Sequence, residues 1–199
     1  MQDKPRRQLV LGVTGHRPNR LPEHARGFVE QQLAELFAGV ARAADGIAVT
    51  LVSALAEGAD MMAARAALAA GSRLDAVLPF PAREYKKDFS VEGARAFDGF
   101  CTKAALVLEL GGTRTDEEKA YEDVGLAVLD RSDMLVAIWD GGASAGRGGT
   151  TEIVAEAARR AMPIIRIDAK GETPTTLSGA PLTDGMVLEI VRTLAQNRA

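Results

Sequence analysis

The sequence predicts an α/β fold, a three-layer sandwich in which helices cover both faces of a mostly parallel sheet of about six strands. Short apolar, β-branched runs alternate with longer stretches of helical periodicity, the pattern of crossover helices that connect parallel strands. Aromatic residues make up only 5% of the chain, whereas Ala and Gly are abundant, and this composition favours close packing of helices on a sheet. One core is sufficient for 199 residues, so we expect a single domain over residues 1–199.

Six apolar runs are the predicted strands, because each is short enough to cross a sheet once. Between them, apolar residues return at helical spacing, as at Val29, Leu33 and Val40, which places them on one buried helix face. The predicted strands are Leu9–Thr14, Ile47–Ser53, Leu74–Leu78, Ala105–Leu110, Met134–Asp140 and Pro163–Ile167.

Two segments depart from this alternation of predicted strands and helices. Pro79–Gly99 is too polar for a core helix, and we interpret it as a connection over the rim of the sheet. Long connections are often functional lids, in which case Tyr85 with Arg83 or Lys86 would cover a ligand; a solvated charged turn is the alternative. Residues 170–183, rich in Thr, Pro and Gly, are predicted to form a surface loop.

Composition excludes several classes of protein. A net charge of −3 and a pI near 5.5 provide no global basic field, which argues against nucleic acid as a partner. The single cysteine, Cys101, forms no internal disulfide, and neither a signal peptide nor an apolar run of ~20 residues is present. Cys and His do not cluster at metal-ligand spacing. We therefore expect a cytoplasmic protein with no membrane partner, no metal and no cofactor.

Ligands of open α/β sheets bind outside the carboxyl ends of the strands, so the segments that follow the strands are the candidate site. After the first strand come Gly15, His16 and Arg17. Gly15 permits an unusual backbone angle, and Arg17 can grip a phosphate or a carboxylate with two hydrogen bonds. His16 is a candidate acid or base, with a plain hydrogen-bonding or packing role as the alternative.

The second strand leads through Ser53, Glu57 and Gly58 into an alanine-rich helix. We interpret Ser53 and Gly58 as ligand contacts, because a small, polar strand end leaves space for a ligand. Helix capping by Ser53 or Glu57 and close approach of Gly58 to the sheet are the alternative. For Asp60, in the first turn of that helix, a structural role is favoured.

The strongest motif is the glycine-rich segment that follows the fifth strand and ends at a helix. Successive glycines expose backbone N–H groups, and two threonines add hydroxyl donors at the helix start, as in a phosphate cradle. Asp140, at the strand tip, can accept from ribose hydroxyls, and Arg147 is either a mobile clamp or a solvated side chain. The predicted contacts in this segment are Asp140, Gly141, Arg147, Gly148, Gly149, Thr150 and Thr151.

Other nucleotide-binding and catalytic motifs do not match. The loop lacks the Gly-Lys-Thr/Ser ending of a P-loop, and the first turn lacks the Gly-x-Gly-x-x-Gly of a dinucleotide fingerprint. There is also no Gly-x-Ser-x-Gly nucleophile elbow. The sequence therefore disfavours an ATPase, a dehydrogenase and a serine hydrolase.

Two stretches resemble known families. Val52–Asp60, with Gly71 further on, is similar to the "VSGLARGID…A…AL…G" stretch of the DNA-processing protein A family. Residues 148–152 resemble the "PGGxGTxxE" loop of the lonely-guy (LOG) phosphoribohydrolases. Both families belong to the Rossmann-like SLOG superfamily, so the resemblance, which covers roughly residues 10–168, implies a Rossmann-like fold and a nucleotide or related ligand. Superfamily relatives commonly pair, which makes a homo-oligomer an expectation.

The resemblance is less specific for activity. The phosphoribohydrolases use an arginine on the helix before the glycine loop, with the loop glutamate, to cleave the N-glycosidic bond of a nucleoside monophosphate. Here the expected arginine position holds no basic residue, Arg131 lies close to the next strand, and Glu152 is one residue nearer to the Gly-Thr pair. We therefore predict binding or sensing of a nucleotide-derived ligand. The alternative is a LOG-like phosphoribohydrolase with Glu152 or Glu57 as the catalytic base.

Overall fold

The computed structural model describes residues 8–143 and 148–197. In these residues the sheet has eight strands in the order β4-β3-β2-β1-β5-β6-β7-β8. The first six in the sequence are parallel, which confirms the predicted α/β architecture. They are β1 (Gln8–Gly15), β2 (Ala48–Ser53), β3 (Arg73–Leu78), β4 (Leu106–Glu109), β5 (Met134–Ile138) and β6 (Ile164–Ile167).

Helices cover both faces of the sheet. One face buries the main core under α1, α2, α4 and α7, and the other packs against α5 and α6 through smaller apolar clusters. In the described residues no helix is both long enough and apolar enough to cross a membrane. The helices are α1 (Glu23–Ala44), α2 (Ala59–Ala69), α3 (Ala82–Tyr85), α4 (Val91–Lys103), α5 (Glu117–Asp130), α6 (Thr150–Arg159) and α7 (Asp184–Asn197).

The interpretation of Pro79–Gly99 as a rim connection is wrong for its second half, which forms most of α4. Ser90 caps this helix by accepting a hydrogen bond from the backbone N–H of Gly93, at 2.9 Å. The buried contacts of α4 come from a narrow stripe that includes Phe97 and Phe100, while its other faces are polar. Because this apolar stripe is narrow and follows a charged run, the sequence pattern did not indicate a helix here.

The surface-loop prediction for residues 170–183 also needs correction, because this segment contains two short antiparallel strands. β7 (Thr176–Leu177) pairs with β6, and β8 (Ala180–Pro181) pairs with β7. The turn between them places Ser178 and Gly179 at positive φ angles of 48° and 92°. Strands of two residues carry too little alternation to be seen in a sequence.

Asp168 organises the turn that leads from β6 to β7. Its buried carboxylate accepts hydrogen bonds from the backbone N–H groups of Lys170, Glu172 and Thr173, at 2.9 to 3.2 Å, and from the Thr173 hydroxyl. Burial alone raises the pKa of Asp168, but these hydrogen bonds outweigh it and hold the pKa below its ordinary value.

Replacing Asp168 by alanine should lower the free energy of unfolding by about 2–4 kcal/mol, because it leaves several backbone donors without an acceptor. Urea unfolding at pH 7 measures this change. Asp184→Asn, on an exposed aspartate at the start of α7, is the control and should stay within about 0.5 kcal/mol. An Asp168→Ala variant as stable as the control would show that the turn does not depend on the carboxylate.

Candidate ligand-binding site

A cavity opens at the carboxyl ends of the central strands. The strand order reverses at β1, which lies between β2 and β5, and such switch points leave a crevice at the sheet's edge. The cavity has a volume of about 360 Å³ and is lined by the loop after β1 and by the starts of α2 and α6, together with residues of α3 and α5. This volume lies within the range of roughly 300–1,000 Å³ that is typical of small-molecule sites.

Two of the predicted glycines bring the loop after β1 against the start of α2. A Cβ on Gly15 would lie 2.5 Å from the Cβ of Ala59, and one on Gly58 would lie 2.7 Å from the carbonyl oxygen of His16. The backbone N–H of Ala59 donates to that same carbonyl, at 3.1 Å. Gly15 lines the cavity, whereas Gly58 acts through this close backbone packing.

His16 and Asp140 connect the tips of β1 and β5. His16 is 3% exposed, and its Nε2 lies 2.9 Å from Oδ1 of Asp140. Burial raises the pKa of Asp140, but the hydrogen bonds from His16 and from the Gly142 N–H, with the charge of Arg20, lower it to about 2. The carboxylate is therefore a fixed anion that holds the two strand tips, and of this pair only His16 lines the cavity.

The end of the glycine-rich loop lies directly on helix α5. Gly148 has a φ of +74°, and a Cβ there would lie 2.4 Å from the backbone nitrogen of Glu122. Gly148, Gly149 and Thr150 all line the cavity, so the N-terminus of α6 faces it. The predicted contact Arg147 lies outside the described residues.

Thr151 and Gly141 hold the loop rather than line the cavity. The hydroxyl of Thr151 donates to the carbonyl of Gly142, at 2.8 Å, and accepts from the indole N–H of Trp139, at 3.0 Å. Gly141 is exposed, with a φ of +77°, and a Cβ there would meet only the guanidinium of Arg166. The two residues set the path of the chain into the first turn of α6.

Arg17 extends across the cavity from the loop after β1. Its guanidinium lies 5.4 Å from the ring centre of Tyr121 and 5.9 Å from that of Phe89, which are cation–π distances. In the part of the chain that the structure describes, no carboxylate forms an ion pair with it. Arg17 thus offers a permanent positive charge and unused donors to the cavity.

Three residues of the same wall were not predicted as contacts or were predicted in another role. Asp60, for which the sequence favoured a structural role, lines the cavity although it is only 4% exposed. Tyr121 lines it from α5. Tyr85, predicted on a lid, is 1% exposed and forms part of the wall. The available signal for Asp60 was an acidic residue in the first turn of a helix whose other residues are mostly alanine and methionine.

Burial has the largest effect on the pKa of Asp60. Loss of hydration raises its pKa to about 7, although the backbone N–H groups of Ala56 and Ala54, the charge of Arg17 and the Ser53 hydroxyl all favour the ionised form. The hydrogen bond from Ser53 to its Oδ2 is long, at 3.4 Å. Ser53, itself fully buried, thus contacts Asp60 and is not part of the cavity wall.

Neither glutamate predicted as a catalytic base lines the cavity. Glu57 accepts hydrogen bonds from the N–H and the hydroxyl of Ser90, at 2.8 and 2.5 Å, and so supports the start of α4. Glu152 accepts from the N–H of Gly148, at 2.6 Å, and lines a separate depression that also contains Glu122. Their catalytic assignment stays a prediction, and the structure places both away from the cavity.

No described protein family matches the sequence, and no curated protein resembles it closely enough to be detected. Solved structures do match. One is DNA processing protein A (DprA) from Streptococcus pneumoniae, with a TM-score of 0.58 and 17% identity, over 96% of this chain and 57% of that one. This chain has the fold of DprA. It therefore spans little more than half the length of the DprA chain that it matches.

Two further solved structures match this chain over nearly its whole length. DprA from Helicobacter pylori matches with a TM-score of 0.58 and 16% identity, over 95% of this chain and 81% of that one. The Moco carrier protein from Chlamydomonas reinhardtii matches with a TM-score of 0.51 and 16% identity, over 96% and 99% of the two chains. At such identities the likeness concerns the fold, and it confirms the Rossmann-like fold that the resemblance to DprA implied.

Proposed function

We propose that this protein binds a nucleotide or nucleotide-derived ligand in the cavity, with the phosphate of the ligand between Arg17 and the start of α6. One observation carries the proposal. An arginine without an acidic partner among the described residues and the N-terminus of a ten-residue helix line the same cavity, at the carboxyl edge of a parallel sheet.

The phosphate assignment follows from the groups that meet there. The first N–H groups of a helix have no partner within the helix, and the aligned peptide dipoles add a partial positive charge. Gly149 brings the chain to the cavity without a side chain, and Thr150 adds a hydroxyl. Arg17 supplies a planar fork of donors that matches two phosphate oxygens.

The remainder of the wall supports a ligand with an organic part. Apolar side chains from β1, α5 and α6 also line the cavity, namely Val13, Val124, Val128 and Ile153. A mixture of a few charged groups with apolar walls is typical of sites for small organic molecules.

Binding is proposed in preference to hydrolysis because neither candidate base lines the cavity: Glu57 hydrogen-bonds to Ser90, and Glu152 to the backbone N–H of Gly148. Pure protein incubated with nucleoside monophosphates should release no free base. Base release that disappears in Glu152→Ala would favour the phosphoribohydrolase instead.

Single-stranded DNA is a second candidate ligand, because DprA from H. pylori binds it. For this chain, with its net charge of −3, DNA is the less favoured ligand. A steep decrease of affinity for single-stranded DNA with increasing salt would favour it.

Replacing Arg17 by glutamine should weaken the binding of AMP and of inorganic phosphate about 10- to 100-fold, because a charge-assisted contact is lost. Fluorescence of Trp139, the only tryptophan, reports the binding, since its indole contacts Thr151 in the first turn of α6. Arg83→Gln, on a side chain that is 87% exposed, is the matched control and should bind as the wild type does. Equal affinities of both variants would refute the phosphate position.

A further inference from the structure

Asp60 is a buried carboxyl group that lines the cavity, where the backbone N–H groups of Ala54 and Ala56 hydrogen-bond to it and Arg17 supplies a nearby positive charge. No ion pair to its carboxylate forms within the residues that the structure describes, and its hydrogen bond from Ser53 is long, at 3.4 Å. Burying a carboxylate is costly even when it is hydrogen-bonded. A carboxylate has about four acceptor positions, so these three hydrogen bonds leave capacity to accept one more from a ligand in the cavity.

The position of Asp60 fits the far end of a mononucleotide. Asp60 lies on α2 after β2, whereas the groups proposed to bind phosphate are Arg17, after β1, and the start of α6, after β5. In the sheet, β1 lies between β2 and β5. Neighbouring strands are about 4.8 Å apart, so the two strand ends are separated by about 10 Å. One nucleoside monophosphate spans such a gap, with its phosphate at α6 and its base near α2.

The surroundings of Asp60 suit a base better than a sugar. Tyr85 and Tyr121 line the same cavity, and Arg17 lies over the ring of Tyr121. Aromatic rings and guanidinium planes are the groups on which unstacked bases pack, while a carboxylate accepts from their N–H edges.

We propose that Asp60 recognises the base of the ligand, by accepting a hydrogen bond from a ring N–H or an amino group. This inference rests on the proposed function, because it takes the phosphate position as given. It narrows the ligand to a base-bearing nucleotide, as opposed to a sugar phosphate or a free phosphate.

Titration provides a second readout. Arg17 and Tyr85 are the charged and titratable groups that face Asp60, with Asp88 and Tyr121 beyond them. Only the ionised carboxylate is a pure acceptor, so the advantage of a nucleotide over ribose 5-phosphate should increase between pH 6 and pH 8. Ribose 5-phosphate carries the same phosphate group, and this comparison removes the ionisation of the phosphate itself.

The test compares AMP, GMP, CMP and UMP with ribose 5-phosphate by calorimetry. For the wild type, we expect at least one nucleotide to bind ten times more tightly than ribose 5-phosphate. In Asp60→Ala this advantage should disappear, and in Asp60→Asn it should shrink and lose its pH dependence, while ribose 5-phosphate should bind at least as tightly, because the negative charge removed lies near Arg17. Asp184→Asn, which also changes an aspartate in the first turn of a helix, is the matched control.

The outcomes separate the two proposals. If ribose 5-phosphate and the nucleotides bind the wild type equally, or if Asp60→Ala weakens all of them to the same extent, the assignment of the base is wrong and the phosphate site stands. If neither ribose 5-phosphate nor inorganic phosphate binds the wild type, the proposed function itself is wrong. Thermal unfolding of each variant confirms that it is folded.

Discussion

Asp60→Asn should be more stable than the wild type above pH 7, by about 2–4 kcal/mol. Burial raises the pKa of Asp60 to about 7 in the folded protein, whereas an aspartate in the unfolded chain titrates near pH 3.9. Between these values the folded state holds a proton that the unfolded state has released. The wild type therefore loses stability as the pH rises from about 4 to 7, and asparagine does not.

Urea unfolding of both proteins at pH 4, 6 and 8 measures this effect. The difference in unfolding free energy should be small at pH 4 and largest at pH 8. Asp184→Asn should follow the wild type at every pH, because its side chain is exposed. A constant difference between Asp60→Asn and the wild type across this range would mean that Asp60 does not titrate near neutral pH.

Gly148→Ala should lower the free energy of unfolding by about 3–5 kcal/mol. A Cβ at this position would lie 2.4 Å from the nitrogen of Glu122 and 2.5 Å from the carbonyl carbon of Tyr121, and both are backbone atoms that cannot rotate away. The φ of +74° adds strain for any residue with a Cβ. Relief of the clash requires the start of α6 to move from the cavity, so the affinity for phosphate should decrease as well.

Gly27→Ala is the control for this prediction. Gly27 lies inside α1 with no atom within 4 Å of its hypothetical Cβ, and alanine there should stabilise the protein by about 0.5–1 kcal/mol. Thermal unfolding and phosphate titration of the two variants complete the test. A Gly148→Ala protein that keeps both its stability and its phosphate affinity would show that the loop does not depend on contact with α5.

Asp60 and Gly148 illustrate two relations between stability and function. We expect the carboxyl group of Asp60 to lower stability at neutral pH, and a residue with such a cost is a candidate for a functional role. Gly148 contributes to stability and to the site at once, because the same backbone contact supports α5 and orients α6.

Much of the fold followed from local pattern. All six parallel strands were predicted within two residues of their observed ends, because each contains a short apolar run, including the mostly exposed edge strand β4. Helix α4 and the strands β7 and β8 were missed, because a helix with a narrow apolar stripe and strands of two residues carry almost no periodic signal.

For the site, the sequence by itself determined which segments end at the carboxyl edge of the sheet, and hence that Arg17 and residues 148–150 would meet there. Only the tertiary structure decided which side chains face the cavity. It placed Asp60 in the wall, whereas Glu57 and Glu152 hydrogen-bond to the backbone N–H groups of Ser90 and Gly148 and do not line the cavity. The physical reason is that periodicity and turn chemistry act between near neighbours in the chain, whereas desolvation of a carboxyl group depends on elements that are distant in sequence and meet only in the folded protein.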